Sequence, residues 1–132
     1  MANEAVIIEL IEGGVPIRFT CADETAIPKG TLMEVTTPRI AVATAADNDK
    51  FCGIAASEKV KDDGATNIDC WTKGIFDLYG SAAIAAGERV SISGVNSVTK
   101  VAAGDLLFGT VGIALETNIG AATQAVWVGS GF

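Results

Sequence analysis

The chain has 132 residues, 49% of them hydrophobic but only 6% aromatic, with 15 glycines, three cysteines and no histidine. That length and apolar content exclude a disordered chain and allow one substantial core. The net charge of −7, with nine scattered basic residues, leaves no basic cluster for a phosphate backbone, so no nucleic-acid partner is expected.

Residues 5–11 read as a first strand ending at Gly13-Gly14. Glu4, Glu9 and Glu12 stand where a signal peptide would be basic, and no apolar run approaches the roughly 18 residues of a membrane span. The expectation is a soluble protein made in the cytoplasm, with no membrane partner. Residues 16–21 continue with Ile17, Phe19 and Cys21 alternating, the period of a strand. A polar connection (22–27) leads to a strand over 32–36, broken at Pro38, and residues 39–44 resume with Ile40 and Val42 alternating. A turn at 45–50 precedes a strand over 51–57, and Lys61-Asp62-Asp63-Gly64 carries the Asp-Gly signature of a hairpin turn.

Residues 67–79 form the longest strand-like stretch: Ile68 and Cys70 alternate with Asp69 and Trp71, then Phe76 and Leu78 with Asp77 and Tyr79. Gly74 between them predicts a bulge or bend. Strands follow over 89–93, 97–101, 106–108, 110–115 and 123–128, with a turn at 94–96. Helical periodicity is confined to at most one turn near 58–62 or 81–86.

Two phrases recur along this series. One is Ile27-Pro28-Lys29-Gly30-Thr31-Leu32, repeated as Ile84-Ala85-Ala86-Gly87-Glu88-Arg89-Val90 and as Val101-Ala102-Ala103-Gly104-Asp105-Leu106. The other is Gly53-Ile54-Ala55, repeated as Gly112-Ile113-Ala114. Glycine supplies the positive φ of a tight turn into a strand, so the phrases mark a reused turn-and-strand unit. The fold expected is all-β: a compact single-domain barrel or sandwich of short strands joined by Gly-containing turns, with little helix. It spans residues 1–132 as one domain, with 1–4 as an N-terminal arm and 129–132 as a C-terminal tail.

Chemistry is sparse. Without histidine, Ser-His and Cys-His nucleophile systems cannot be built and the commonest zinc ligand is missing. Cys21, Cys52 and Cys70 are odd in number and widely spaced, matching neither a disulfide framework nor a zinc site; they read as buried thiols. Asp47-Asn48-Asp49 with Glu58 imitates a calcium loop, but Phe51 and Cys52 occupy its fifth and sixth positions. No catalytic residue, cofactor or metal is assigned. An enzyme would need a buried cysteine or carboxylate with a shifted pKa in a pocket.

Trp71, Tyr79 and Trp127 fall opposite the core face of their strands. Either the inside and outside assignments are reversed there, or those faces meet another subunit. The C-terminal Phe132, behind Gly129-Ser130-Gly131, either serves as a docking anchor or folds back on the barrel.

From about residue 50 to 128 the order of Gly-Ile-Ala, Gly74-Ile75-Phe76-Asp77-Leu78, the Gly87 and Gly104 phrases, Gly112-Ile113-Ala114-Leu115-Glu116 and a last apolar strand resembles the small capsid decoration (cement) proteins of tailed bacteriophages and related prokaryotic viruses. The resemblance implies a non-enzymatic virion protein without cofactors. It would sit on the outer capsid surface against the major capsid protein, as a homo-oligomer with a trimer favoured. It also implies that the N-terminal arm engages the shell. Candidate interface residues are therefore Ala2, Asn3, Glu4, Val6, Ile8, Trp71, Tyr79, Trp127 and Phe132. The alternative is a small β-barrel module binding glycan or peptide in a fibre or adhesin.

Overall fold

The computed structural model describes residues 3–9, 16–46, 49–101 and 109–129. Its strands are β1 (Val6–Glu9), β2 (Ile17–Thr20), β3 (Leu32–Thr37), β4 (Ile40–Ala43), β5 (Phe51–Ala55), β6 (Asn67–Trp71), β7 (Gly74–Gly80), β8 (Arg89–Gly94), β9 (Ser97–Lys100), β10 (Thr110–Ala114) and β11 (Ala122–Val128). The all-β expectation holds, and no α-helix occurs among the described residues. Where one helical turn was allowed, the chain instead makes isolated bridges, Ile27 to Lys59 and Ile84 to Asn118.

The strands close into two barrels. The first has the order β2-β4-β3-β5-β6; the second, β7-β11-β10-β8-β9, is closed by a parallel pairing of β7 with β9, and β1 is added along β7. Gly74, at φ +148°, is therefore not a bend within one long strand. It starts the second barrel, immediately after β6 has finished the first.

The barrels repeat each other register for register. Ile17↔Cys70, Leu32↔Ile54, Ile54↔Trp71 and Val35↔Ala41 in the first recur as Phe76↔Val126, Arg89↔Ile113, Ile113↔Trp127 and Ile92↔Val98 in the second. The irregularity between Val35 and Thr37 has its counterpart between Ile92 and Gly94. Arg39 (φ +59°) and Asn96 (φ +50°) close the two equivalent turns.

The repeated phrases make the same bonds twice. Gly30 N donates to Ala55 O at 2.8 Å and Gly87 N to Ala114 O at 2.7 Å, with Gly30 at φ +91° and Gly87 at φ +90°. A left-handed backbone is costly for other residues, which explains glycine at both positions. The third copy, at 101–106, and the strand expected over 106–108 lie outside the described residues beyond Val101.

Each barrel is filled by its inward row. Cys21, Ile27, Met33, Ala41, Ala55, Ile68 and Cys70 form the first core. Phe76, Leu78, Ile84, Val90, Ile92, Val98, Val111, Ala114, Val126 and Val128 form the second, which also takes in Leu32 and Ile54 from the first barrel. Those two are 1% and 0% exposed; burying each contributes about 1.5–3 kcal/mol, and that stabilisation acts between barrels. Polar bonds accompany it: Leu32 N donates to Asn96 Oδ1 at 2.9 Å, and Thr44 Oγ1 donates to Gly94 O at 2.9 Å. In β4 the buried residue is Ala41, while Ile40 is exposed, because Ala41 lies opposite inward-facing Val35.

The closed ends differ in chemistry. In the first barrel the three N–H groups of the Lys59 ammonium are shared among four acceptors, Asp23 Oδ1, Asp23 O, Val60 O and Asp63 Oδ1, at 2.7–2.9 Å. In the second, Asn118 holds the equivalent bridge, donating to Ala122 O and accepting from Gly120 N, both at 3.0 Å. A buried charge needs such a full set of partners; a neutral amide needs fewer. The Asp62-Asp63-Gly64 turn thus has a task beyond reversing the chain.

Candidate interaction surface

The two tryptophans occupy equivalent places, each opposite the isoleucine of a Gly-Ile-Ala phrase. Directly paired residues share a face, so Leu32–Ile54–Trp71 and Arg89–Ile113–Trp127 are equivalent outward rows. Cys70 and Val126, their neighbours, are buried inside; the inside and outside assignments are not reversed.

The rows meet different fates. Leu32–Ile54–Trp71 lies against the second barrel: the Trp71 ring is 5.5 Å from the Phe76 ring, tilted by 48°. Lys29 Nζ stands 5.6 Å from the Trp71 ring centroid, within cation–π range. Trp127 remains 42% exposed, and the residue equivalent to Lys29 is Ala86. On β7 it pairs with Ile75, and the adjoining outward row runs Val6–Asp77–Ala125. Leu115, whose N–H donates to Ala125 O at 2.9 Å, extends that row and is exposed. The outer wall over β1, β7, β11 and β10 thus carries a largely apolar set, with Glu9 and Asp77 among it and Arg89 beside it on β8.

Of the candidate residues, this wall brings together Val6 and Trp127. Ile8, exposed, sits at the irregularity between Ile7 and Glu9 of β1. Trp71 is engaged inside the chain. Tyr79 is half-buried on the outward face of β7 opposite Thr123, two residues beyond Asp77. In the arm, Asn3 is exposed at φ +63° and Glu4 is half-buried against Gly30. Ala5 N donates to Gly30 O at 2.7 Å, so the segment ties the first barrel to β1 on the second. Ala2 and Phe132 lie outside the described residues, as do residues 130–131 of the tail. Ile75, Ile113 and Leu115 were missed by sequence reasoning. The repeated Gly-Ile-Ala phrase was the signal for Ile113, since it places an isoleucine outward beside each tryptophan.

Elsewhere the chemistry is muted. The Cys52 thiol is pushed far above its usual pKa by a hydrogen bond with Cys70 and by burial, and burial raises that of Cys21. Asp49 Oδ2 accepts from Ala45 N and Ala46 N at 2.7 and 2.9 Å, so this carboxylate closes its own turn. A cavity of about 270 Å³ beside Ile84, Lys100 and Ile119 is mainly apolar. Among the described residues no group of three or more acidic or cysteine side chains is placed to hold a metal.

No curated protein matches the chain. A family model described as phage cement protein matches residues 11–129, spanning both barrels. The chain belongs to the phage cement protein family.

Proposed function

We propose that this protein is a structural, non-enzymatic component of a phage virion that decorates the outer surface of the capsid and stabilises it. Family membership across both barrels carries the reading. Its partner is the major capsid protein, and it acts as a homo-oligomer, a trimer being favoured; it is made in the host cytoplasm and needs no cofactor.

The geometry supports this reading physically. Both barrel interiors are filled with side chains, so recognition falls to outer walls and loops. Many weak contacts repeated over a lattice add to strong reinforcement, and a protein that binds only the intact shell stabilises it by mass action. The acidic charge disfavours binding to the packaged genome.

The test compares shells stripped of this protein with shells to which the purified chain has been restored, heated with a DNA-binding dye. Restored shells are expected to rupture at a higher temperature. Equal rupture temperatures, or absence of the chain from purified particles, would overturn the proposal.

A further inference from the structure

The contact between the two barrels has two halves, and the repeat leaves one unfilled copy of each. Within the chain, the outward row Leu32–Ile54–Trp71 of the first barrel covers the end of the second barrel at which β7 starts and β8 and β11 finish. With Trp71 against Phe76, and Ala5, Ile7 and Phe51 packed on the same core, Phe76, Ile92, Val111 and Val128 are all at most 1% exposed. Their register counterparts in the first barrel are Ile17, Val35, Cys52 and Thr72. There Ile17 is 44% exposed and the other three are only half-buried, although Ile17 pairs with fully buried Cys70 on the inward face. Among the described residues, then, the first barrel has an open apolar end. The second barrel has the matching outward row, with Ile113 half-buried and Trp127 exposed.

We infer that the chain associates head to tail with a second copy of itself, the Ile113–Trp127 row of one copy covering the open end of the first barrel, around Ile17, in the next. The occupant is argued from the chain's own packing: the equivalent row is already covered by a barrel of this fold. Such a contact is heterologous, because the two surfaces differ, and it ends only when rotation closes a ring. It is not a strict copy of the internal one. Arg89 stands where Leu32 is buried, and Arg39 where Asn96 accepts the Leu32 N–H. Arg39 Nη2 donates to Arg18 O at 2.7 Å, and a guanidinium at the centre of such a contact would lose its solvation. Ile113 and Trp127 therefore form the buried centre and the arginines stay in a solvated rim. The inference deepens the proposed homo-oligomer by naming its surfaces.

The test is light scattering coupled to size exclusion on the purified full chain over a range of concentrations. The wild type is expected as a closed oligomer. Trp127→Arg and Ile17→Arg should each weaken self-association by about 30-fold or more, the scale of a central interface residue. Ile119→Arg, at a residue 94% exposed elsewhere, should leave it unchanged. The decisive arm mixes the two disabled variants. Trp127→Arg retains an intact open end and Ile17→Arg an intact row, so the mixture should form a one-to-one heterodimer and stop there. Heterodimer formation also shows that both variants fold.

A wild type that is monomeric throughout, variants that remain oligomeric, or a mixture without heterodimer would each overturn the inference. Shell binding is read separately. A monomeric wild type that still decorates shells defeats this inference and the homo-oligomer but leaves the capsid reading standing, whereas an oligomer that never binds shells defeats only the capsid reading.

Discussion

Gly112 is the glycine at which an added carbon would meet backbone most closely. A Cβ there would lie 2.8 Å from the Trp127 carbonyl carbon and 3.0 Å from Val128 Cα, with the Trp127 carbonyl oxygen closer still. All three are backbone atoms of β11, which is held on its other side by β7 from Ala122↔Gly80 to Val128↔Gly74. A side chain could swing away; a strand paired on both edges cannot. Relief requires β10 and β11 to separate by on the order of 1 Å, which forfeits a large part of their dispersion attraction. Overpacking costs about 1–3 kcal/mol where neighbours yield, and here the upper end applies. For Gly112→Ala the expectation is a loss of about 3 kcal/mol, or a fall of about 10 °C in Tm at this chain length.

Two companion variants separate causes. At Gly87 an added Cβ meets nothing within 4 Å, but φ is +90°, so Gly87→Ala should cost only the left-handed penalty, about 1–2 kcal/mol. At Gly120 there is neither a contact within 4 Å nor a positive φ, so Gly120→Ala should be neutral or stabilise by about 0.4–1 kcal/mol through the unfolded chain. Urea denaturation followed by circular dichroism reads all three as midpoint shifts at constant slope. The steric reasoning is refuted if Gly112→Ala lies within about 1 kcal/mol of wild type, or if Gly120→Ala costs as much as Gly112→Ala.

Gln124 is 2% exposed; its Nε2 donates to Glu116 O, but its Oε1 finds no partner among the described residues. Since Ile68 fills the equivalent place, Gln124→Met should be neutral or stabilising by up to about 1 kcal/mol, and a loss beyond about 2 kcal/mol in urea denaturation would contradict this. Hydrogen bonds from Lys59 and from Ala65 N hold the Asp63 carboxyl below its ordinary value of 3.8. Burial alone would lower the Lys59 pKa, but its bonds to Asp23 and Asp63 outweigh that and hold it above 10.5. Asp63 therefore stabilises the fold above its unfolded pKa, and the contribution is lost as pH falls through the lower folded value. Lys59 contributes fully below its unfolded pKa and loses its contribution as pH rises through the higher folded one. Lys59→Met should flatten the acid limb of Tm against pH; identical acid limbs would count against the ion cluster. With Cys21 and Cys52 raised in pKa and Cys70 fully buried, native protein at mildly alkaline pH should resist iodoacetamide until denatured. Fast labelling of the native chain, read by mass spectrometry, would show the thiols open. We propose that the two barrels behave as one domain because Leu32 and Ile54 belong to the second barrel's core, so calorimetry should give a single unfolding transition; two separated transitions would refute this.

What the sequence determined by itself was local. Period-2 alternation placed Cys70, Phe76, Leu78 and Val126 inward, because side-chain direction in a strand follows from backbone geometry alone. The recurring glycine phrases marked the turns into strands, because glycine takes a left-handed backbone without a Cβ penalty. The same alternation set Trp71 and Trp127 outward. It could not say that one outward face is covered and the other open. That depended on closure: hydrogen-bond pairing between distant strands made two barrels rather than one, turned the Gly74 interruption into the junction between them, and laid Leu32, Ile54 and Trp71 of the first over the end of the second. Strand partners and barrel contacts are long-range choices, set by which surfaces fit together, and a pattern read over a few residues carries no record of them.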